Sequence, residues 1–505
     1  MTVFKPNLLA FAVLTAGITT QAQAGQSIDM GDGLTLDWKG TVSYGAGVRL
    51  EDQDEVLAAK SSGDRNFDQG DMINNRLSLL MEGRLHKGNS GLVMSASTFY
   101  DDVYQDDKFT DDAEKYHGGY TRLLDLYGYT SLELGNGSYL DLRAGKHVVA
   151  WGEALFLPSM SLAQGPSDGT KAGIPGVEVK DILLPEDQVS MQLEVNPNWS
   201  ILAHAQYNWH EVQVPEPGSF LATGEATGEG ATCLALAPGS NCSYARGDDI
   251  EPGKTGQWGI GTRFRTSLET EWGLYYLKYH DRIPLPEFSI TGFGANGATG
   301  SYNIRYFDDV ELYGATFTTT AGMASIAGEM TYKKGAPSLL ANGMPTRSDI
   351  LQTNLNTIVN FGRSSLADTV TLVAELSYVD ILDVESRGIN IFGSMDQVTD
   401  DLMWTGHGLA FSSSFTLSYP GATENWDLSI PLAYSHQISG RTITGGVGGE
   451  GDHRFSVGAN FTHRTGVQVG VNYLTYMGDP DVDEAYKQRT LSDRDNLSLS
   501  VKYAF

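Results

Sequence analysis

The sequence predicts an all-β fold: a transmembrane antiparallel β-barrel of about 18 strands, an even number within the range 14–18, with long extracellular loops and one loop folded inward. Three observations predict it. No apolar run is long enough for a membrane-spanning helix, which needs about 20 residues. Segments of alternating apolar and polar residues recur along the whole chain. The gaps between those segments alternate between short and long, as they must when turns on one side of a membrane differ from loops on the other.

The chain has 505 residues, of which 41% are hydrophobic and 19% charged, with 59 Gly, 24 Tyr and 2 Cys. Its continuous apolar stretch, residues 8–18, follows Lys5 and closes with Ala22-Gln23-Ala24. A positive start, a short apolar core and a small-residue exit make residues 1–24 a secretory signal peptide and leave 25–505 as the barrel domain. The net charge of −28 repels phosphate backbones, so nucleic acid is excluded as a partner.

Alternation places strands at 34–50, 75–86, 92–100, 121–134, 140–149, 188–196, 199–211, 257–265 and 271–279. The second half continues with 309–319, 324–333, 349–361, 368–380, 406–419, 426–438, 453–463, 466–476 and 496–505. The first puts Leu34, Leu36, Trp38, Val42, Tyr44 and Val48 on one face, and the last does the same with Leu497, Leu499, Val501, Tyr503 and Phe505. Tyr503 and Phe505 also resemble the terminal signal read by the bacterial barrel-assembly machinery, which implies that machinery as a partner.

Eight short and nine long connections separate these segments, with both chain ends on the periplasmic side. Eighteen strands tilted about 40° enclose a lumen about 36 Å across between backbones, too wide for side chains to fill. A filler is therefore expected.

The connection 150–187 suits that role. Pro158, Pro166, Pro175 and Pro185 with five glycines forbid regular structure, yet it carries Trp151, Phe156, Leu157, Met160, Ile174 and Val177. A surface loop has no need of that apolar load. Parity turns Asp141, Arg143 and His147 into the lumen, and likewise His204, Gln206, Asn208 and His210 on strand 199–211. His147 and His210 then lie near the outer mouth beside Glu153, Lys180 and Asp181. The candidate path or gate is thus Arg143, His147, Trp151, Glu153, Lys180, Asp181 and His210, with Arg143 and His147 pinning the segment through Glu153, Lys180 and Asp181. The plainer reading of the same groups is a loop tied to the wall.

Cys233 and Cys242 share one long loop in an oxidising compartment, where a disulfide is expected. Acidic runs at 101–114 and 479–484 suit lipopolysaccharide bridged by divalent ions. Structural calcium is the only cofactor these runs would suit, but Asp64-x-Asn66-x-Asp68 departs from a calcium loop, and no metal site is assigned. No nucleophile elbow, zinc-protease helix or phosphate loop is present. A barrel phospholipase would need a histidine facing lipid, and only His436 and His463 fall on that parity.

Four segments carry a family likeness: Phe67-Asp68-Gln69-Gly70-Asp71 with Asn74-Asn75-Arg76-Leu77, Tyr100-Asp101-Asp102-Val103-Tyr104, Gly145 through Glu153, and Lys171 through Pro185. With them the chain resembles the proteobacterial outer-membrane family catalogued as domain of unknown function 1302. The resemblance implies an outer-membrane barrel that moves hydrophobic or lipid-like molecules, alongside a periplasmic lipid-handling protein and a resistance-nodulation-division type transporter. It brings no catalytic residues. The functional expectation is an outer-membrane channel for hydrophobic or amphiphilic solutes, with a surface-structural or adhesin barrel as the alternative and a hydrolase third.

Overall fold

A sheet whose strands each carry one apolar and one polar face loses its unpaired edges when it rolls closed. The computed structural model describes residues 25–235, 241–295 and 297–505; the leader expected over 1–24 lies outside them. Eighteen antiparallel strands form the barrel. They are Leu34–Arg49, Met72–Lys87, Ser90–Asp101, Thr121–Gly135, Ser138–His147, Glu186–Asn196, Trp199–Gln206, Trp258–Arg265 and Glu271–Tyr279. The remaining nine are Val310–Ala321, Ala324–Leu339, Pro345–Gly362, Thr369–Val384, His407–Thr423, Trp426–Gly440, His453–His463, Val467–Tyr476 and Asn496–Ala504. Each pairs with its chain neighbours, and Asn496–Ala504 closes on Leu34–Arg49 from Thr41↔Ala504 to Arg49↔Asn496.

Closure is tight where Phe505 meets Gly40. The two residues exchange backbone hydrogen bonds of 2.9 Å each way, and the Phe505 ring lies where a Cβ at position 40 would stand. Trp38 meets that ring edge-on, 6.1 Å away.

The outward faces carry the apolar band that a bilayer requires, with Leu497, Leu499 and Tyr503 exposed beside inward serines. Aromatic residues mark both borders of the band. Trp272 packs on Phe317 near the short turns, while Tyr276, Tyr313 and Tyr332 form a chain of rings toward the long loops.

Three differences from the sequence reading have physical causes. Strand 199–211 ends at Gln206, because Asn208 bonds Asp187 and Trp209 is drawn into an apolar cluster above the barrel. The connection between 324–333 and 349–361 is a tight turn, since both strands continue to Leu339 and Pro345. The long loops also build a second, six-stranded sheet from Cys233–Leu234, Tyr244–Arg246, Leu285–Gly294, Gly297–Arg305, Arg387–Ile391 and Ser394–Thr399. Its short strands, broken by glycine, gave no usable alternation, and it packs on Trp209, Tyr244, Phe288, Tyr302 and Ile304. Cys233 and Cys242 are joined by a disulfide at its edge.

Over the closing seam, Arg49 reaches Asp64 at 2.9 Å and Asp493 at 2.8 Å, and Arg494 meets Asp64 at 3.1 Å, all buried. Burial raises the Asp64 carboxyl to about 6 despite Arg494 and Arg49. Beside this cluster Asn66 donates to the Gly218 carbonyl at 2.9 Å.

Candidate functional site

The segment between His147 and Glu186 enters the lumen and crosses it. An irregular backbone can lie inside a barrel only if its N–H and C=O groups find partners there, and the wall supplies them. Residues 150–160 form a first lobe. Glu329 accepts from the backbone N–H groups of Glu153 at 2.8 Å and Met160 at 2.9 Å, and Glu375 from Leu155 at 2.7 Å and Phe156 at 2.6 Å. Asn354 donates to the Leu157 carbonyl at 2.7 Å and Asn356 to that of Glu153 at 2.6 Å. Around these bonds, Trp151 and Met160 pack with Leu202, Tyr275, Leu312 and Ile350, while Phe156 and Leu157 pack with Ala433 and Leu474.

The chain then rises, bridging Ser167 to Leu183 and Asp168 to Gln213 of the loop above. It descends again as a second lobe, residues 171–182, whose Ala172, Val177 and Ile182 cluster with Phe67, Tyr104 and Phe220. Ion pairs hold its lower end. Lys180 meets Asp125 at 2.7 Å and Glu82 at 2.8 Å, and Glu178 meets Lys502 at 2.9 Å. At its upper end Lys171 lies 3.5 Å from Asp168, which Arg122 approaches to 2.8 Å. Burial pushes the Lys171 ammonium down to about 8 against Asp168 and Asp181. Burial would raise Asp168, but Lys171 and Arg122 bring it to about 2.

The residues expected to converge are divided among four places. Arg143 and His147 do face the lumen, but His147 bonds Ser190 at 2.7 Å and the Gly145 carbonyl at 2.9 Å, and Arg143 leans toward Tyr127. Neither pins the segment. His210 joins Glu186 at 2.7 Å, and Arg282 meets the same carboxylate at 3.1 Å. Glu153 belongs to the first lobe and Lys180 and Asp181 to the second, so the three acidic and basic groups do not meet. Trp151 meets His204 edge-on at 4.9 Å and Tyr275 at a tilt at 5.6 Å inside the first lobe's core.

The pinning groups are instead Glu329, Glu375, Asn354, Glu82 and Asp125, all on the wall. A carboxylate on the inward parity of a barrel strand was the signal for them. Parity reports direction, however, and not which loop will arrive. Of the two histidines on the bilayer side, His463 bonds Thr465 at 2.8 Å and the His436 ring lies 5.6 Å from that of His453.

Beside the second lobe, between it and the wall of strands Trp426–Gly440 to Asn496–Ala504, a cavity of about 110 Å³ remains. One side is apolar, with Ile174, Pro175, Val177, Ile182, Ala433 and Leu474. The other is amide and hydroxyl, with Asn460, Gln468, Asn472, Ser498 and Ser500, and the charged side chains that line it are Lys171 and Lys502.

A model of the family described as Protein of unknown function (DUF1302) matches residues 5–505. The chain belongs to this family. Three of the four segments that carry the DUF1302 likeness meet in space, since Phe67, Tyr104, Val177 and Ile182 share one cluster and Arg76 lies 3.5 Å over the Phe99 ring that Lys171 also faces, whereas Trp151 of the fourth packs in another cluster. No curated protein matches the chain. Among solved structures it is similar to Acinetobacter baumannii OccAB3, with 8% identity over 93% of this chain and 99% of that one and a TM-score of 0.47. Pseudomonas aeruginosa OccK2 (OpdF), solved in complex with glucuronate, shows 10% identity over 93% and 98% with a TM-score of 0.45. For Acinetobacter baumannii OccAB4 the figures are 10%, 93%, 98% and 0.44.

Proposed function

We propose that this protein is an outer-membrane channel for amphiphilic, lipid-like molecules, held nearly shut by the inward segment and gated by its second lobe. The two-faced lining of the cavity beside residues 171–182 carries the reading. An apolar side built by Ile174, Val177 and Leu474 accommodates a hydrocarbon body, and the amide and hydroxyl side binds its polar end. Lys171 and Lys502, which face Asp168 and Glu178 in this structure, would favour an acidic group there once the second lobe moves. The first lobe closes the rest of the lumen, so a solute must pass the second. Coupling to a periplasmic lipid-handling protein and an inner-membrane transporter would supply direction.

A single cysteine in place of Ser498 tests this. Its labelling by a small maleimide should be slowed by oleate and left unchanged by glucuronate or sucrose. Protection by the sugars alone would replace the amphiphile with a hydrophilic solute, and no protection by any of them would end the conduit reading.

A surface-binding role has one observation in its favour. Phe293, Phe392, Met395 and Val398 stand exposed on the outer sheet, with the two rings 6.0 Å apart. Phe293→Ser with Phe392→Ser should then abolish binding to host or neighbouring cells and leave the maleimide assay untouched.

A further inference from the structure

Hydrogen-bond ladders between barrel strands are either continuous or shifted by bulges, with one exception among the described residues. Between Trp426–Gly440 and His453–His463 the pairing runs to Ser429↔Asn460 and resumes at Leu432↔Val457 in the same register. The two intervening pairs, Ile430 with Ala459 and Pro431 with Gly458, are missing. The sequence explains the gap. Proline has no N–H to donate to the ladder and is otherwise confined to edge strands and bulges, yet Pro431 sits inside a strand that is paired on its other side through Thr416↔Pro431. Gly458 opposite has no side chain to cover the weakened place, and a Cβ there would meet the proline ring at 3.2 Å.

Position gives the gap a use. Ile430 lies midway between Trp426 at the inner border and Tyr434 toward the outer one, hence at hydrocarbon depth. On the inner face, Pro431 and Ala433 line the amphiphile cavity beside the second lobe. On the outer face the partners are Ile430 and Ala459, apolar and, at Ala459, small. This interrupted stretch of ladder therefore lies between the cavity and the bilayer core. A lumen that leads only into water would gain nothing from such a seam, because an apolar chain leaving the cavity axially must be hydrated again.

Resting on the channel reading above, we propose that the seam between Pro431 and Gly458 is a lateral exit. Through it, the hydrocarbon chain of an acidic single-chain amphiphile passes between lumen and membrane while its head stays on the amide and hydroxyl lining. The strands part where the Pro431 nitrogen gives the ladder no donor, so fewer bonds break there than along a continuous ladder.

The test uses diazirine-bearing oleate presented to outer-membrane vesicles with lipopolysaccharide in the outer leaflet. Two versions close the seam: Pro431→Val, which restores the donor, and Leu432→Cys with Val457→Cys bridged by a short bis-maleimide on the lipid face, these residues being directly opposed across it and outside the cavity lining. In the native protein, photo-adducts should form on Asn472 or Ser498 inside, and oleate should reach the inner leaflet. With the lipid-face bridge in place the inside adducts should persist and arrival in the membrane should be lost, and Pro431→Val should lose arrival as well. Bridging Ser412→Cys to Ser435→Cys, across the neighbouring ladder where the native hydroxyls lie 3.0 Å apart, should change neither. Native arrival with both closed seams overturns the lateral exit and leaves the channel standing. Absence of inside adducts in the native protein overturns the channel, and the exit with it.

Discussion

The two lobes of the inward segment fill the same lumen by opposite means. The first is gripped by buried carboxylates, Glu329 and Glu375, each accepting from two backbone N–H groups, and by two apolar clusters. The second keeps a buried Lys171–Asp168 pair and one apolar cluster at its upper end, but its lower end rests on partly exposed ion pairs at Lys180 and Glu178, with a cavity along one flank. Charge-assisted bonds in a dry interior are strong and costly to break, whereas pairs that water can reach contribute about 0–1 kcal/mol. On the function proposed above, the contrast would make one lobe a fixed stopper and the other a latch.

The largest expected effect comes from removing the grip. Glu329→Ala with Glu375→Ala strands at least four buried N–H groups, at about 1–3 kcal/mol each, and should release the first lobe. Planar-bilayer recordings should change from small or no conductance to large, steady conductance, with residues 150–160 newly open to protease. An unchanged conductance in the folded double variant would make the lobes alike.

Lys180→Met should act more gently. Its loss frees the lower end of the second lobe, so brief openings should become frequent while the first lobe keeps the mean conductance low. Raising salt should produce the same openings in the native protein by screening the pairs, and should add little to Lys180→Met. Salt dependence that survives the substitution would assign the latch elsewhere.

A smaller effect concerns the roof of the second lobe, where Phe220 packs and the Glu216 backbone N–H donates to His117 at 3.1 Å. Burial, reinforced by Asp112 and Glu229, raises the Glu216 carboxyl from 4.5 to about 7 even though the Gly230 and Glu229 N–H groups favour its charge. A raised folded-state value means stability that is full below about pH 4.5 and lost as pH rises through 7. Hydrogen exchange over 214–222 should quicken across that interval, and Glu216→Gln should flatten the change. The smallest expected effect is on the disulfide. Cys233→Ser with Cys242→Ser should loosen the outer sheet's edge without altering conductance through either lobe.

Sequence alone placed all eighteen wall strands, because alternation imposed by lipid on one side and polar lumen on the other is repeated in every one. It also marked 150–187, whose prolines and apolar residues fit no surface loop. The partners were not legible. Arg143 and His147 were the inward charges nearest in sequence, but Glu375 and Glu329 lie across the lumen. Which wall group meets which loop residue depends on how the chain folds back through a closed ring, and period-two patterns carry no such information. The outer sheet was missed because its strands pair across different loops, two of the pairings being parallel.

The grip on the first lobe joins Glu153 to a carboxylate 176 residues later and Leu155 to one 220 residues later. That distance sets an order of events. During export, residues 150–160 appear long before strands Ala324–Leu339 and Thr369–Val384 exist to receive them, and until then an apolar, unbonded stretch is open to chaperones and proteases. The stopper can set only in a nearly finished wall. Protease resistance at 150–160 should therefore appear together with closure of Asn496–Ala504 on Leu34–Arg49 in a pulse-chase, which makes the plug a report on whether the barrel around it is complete.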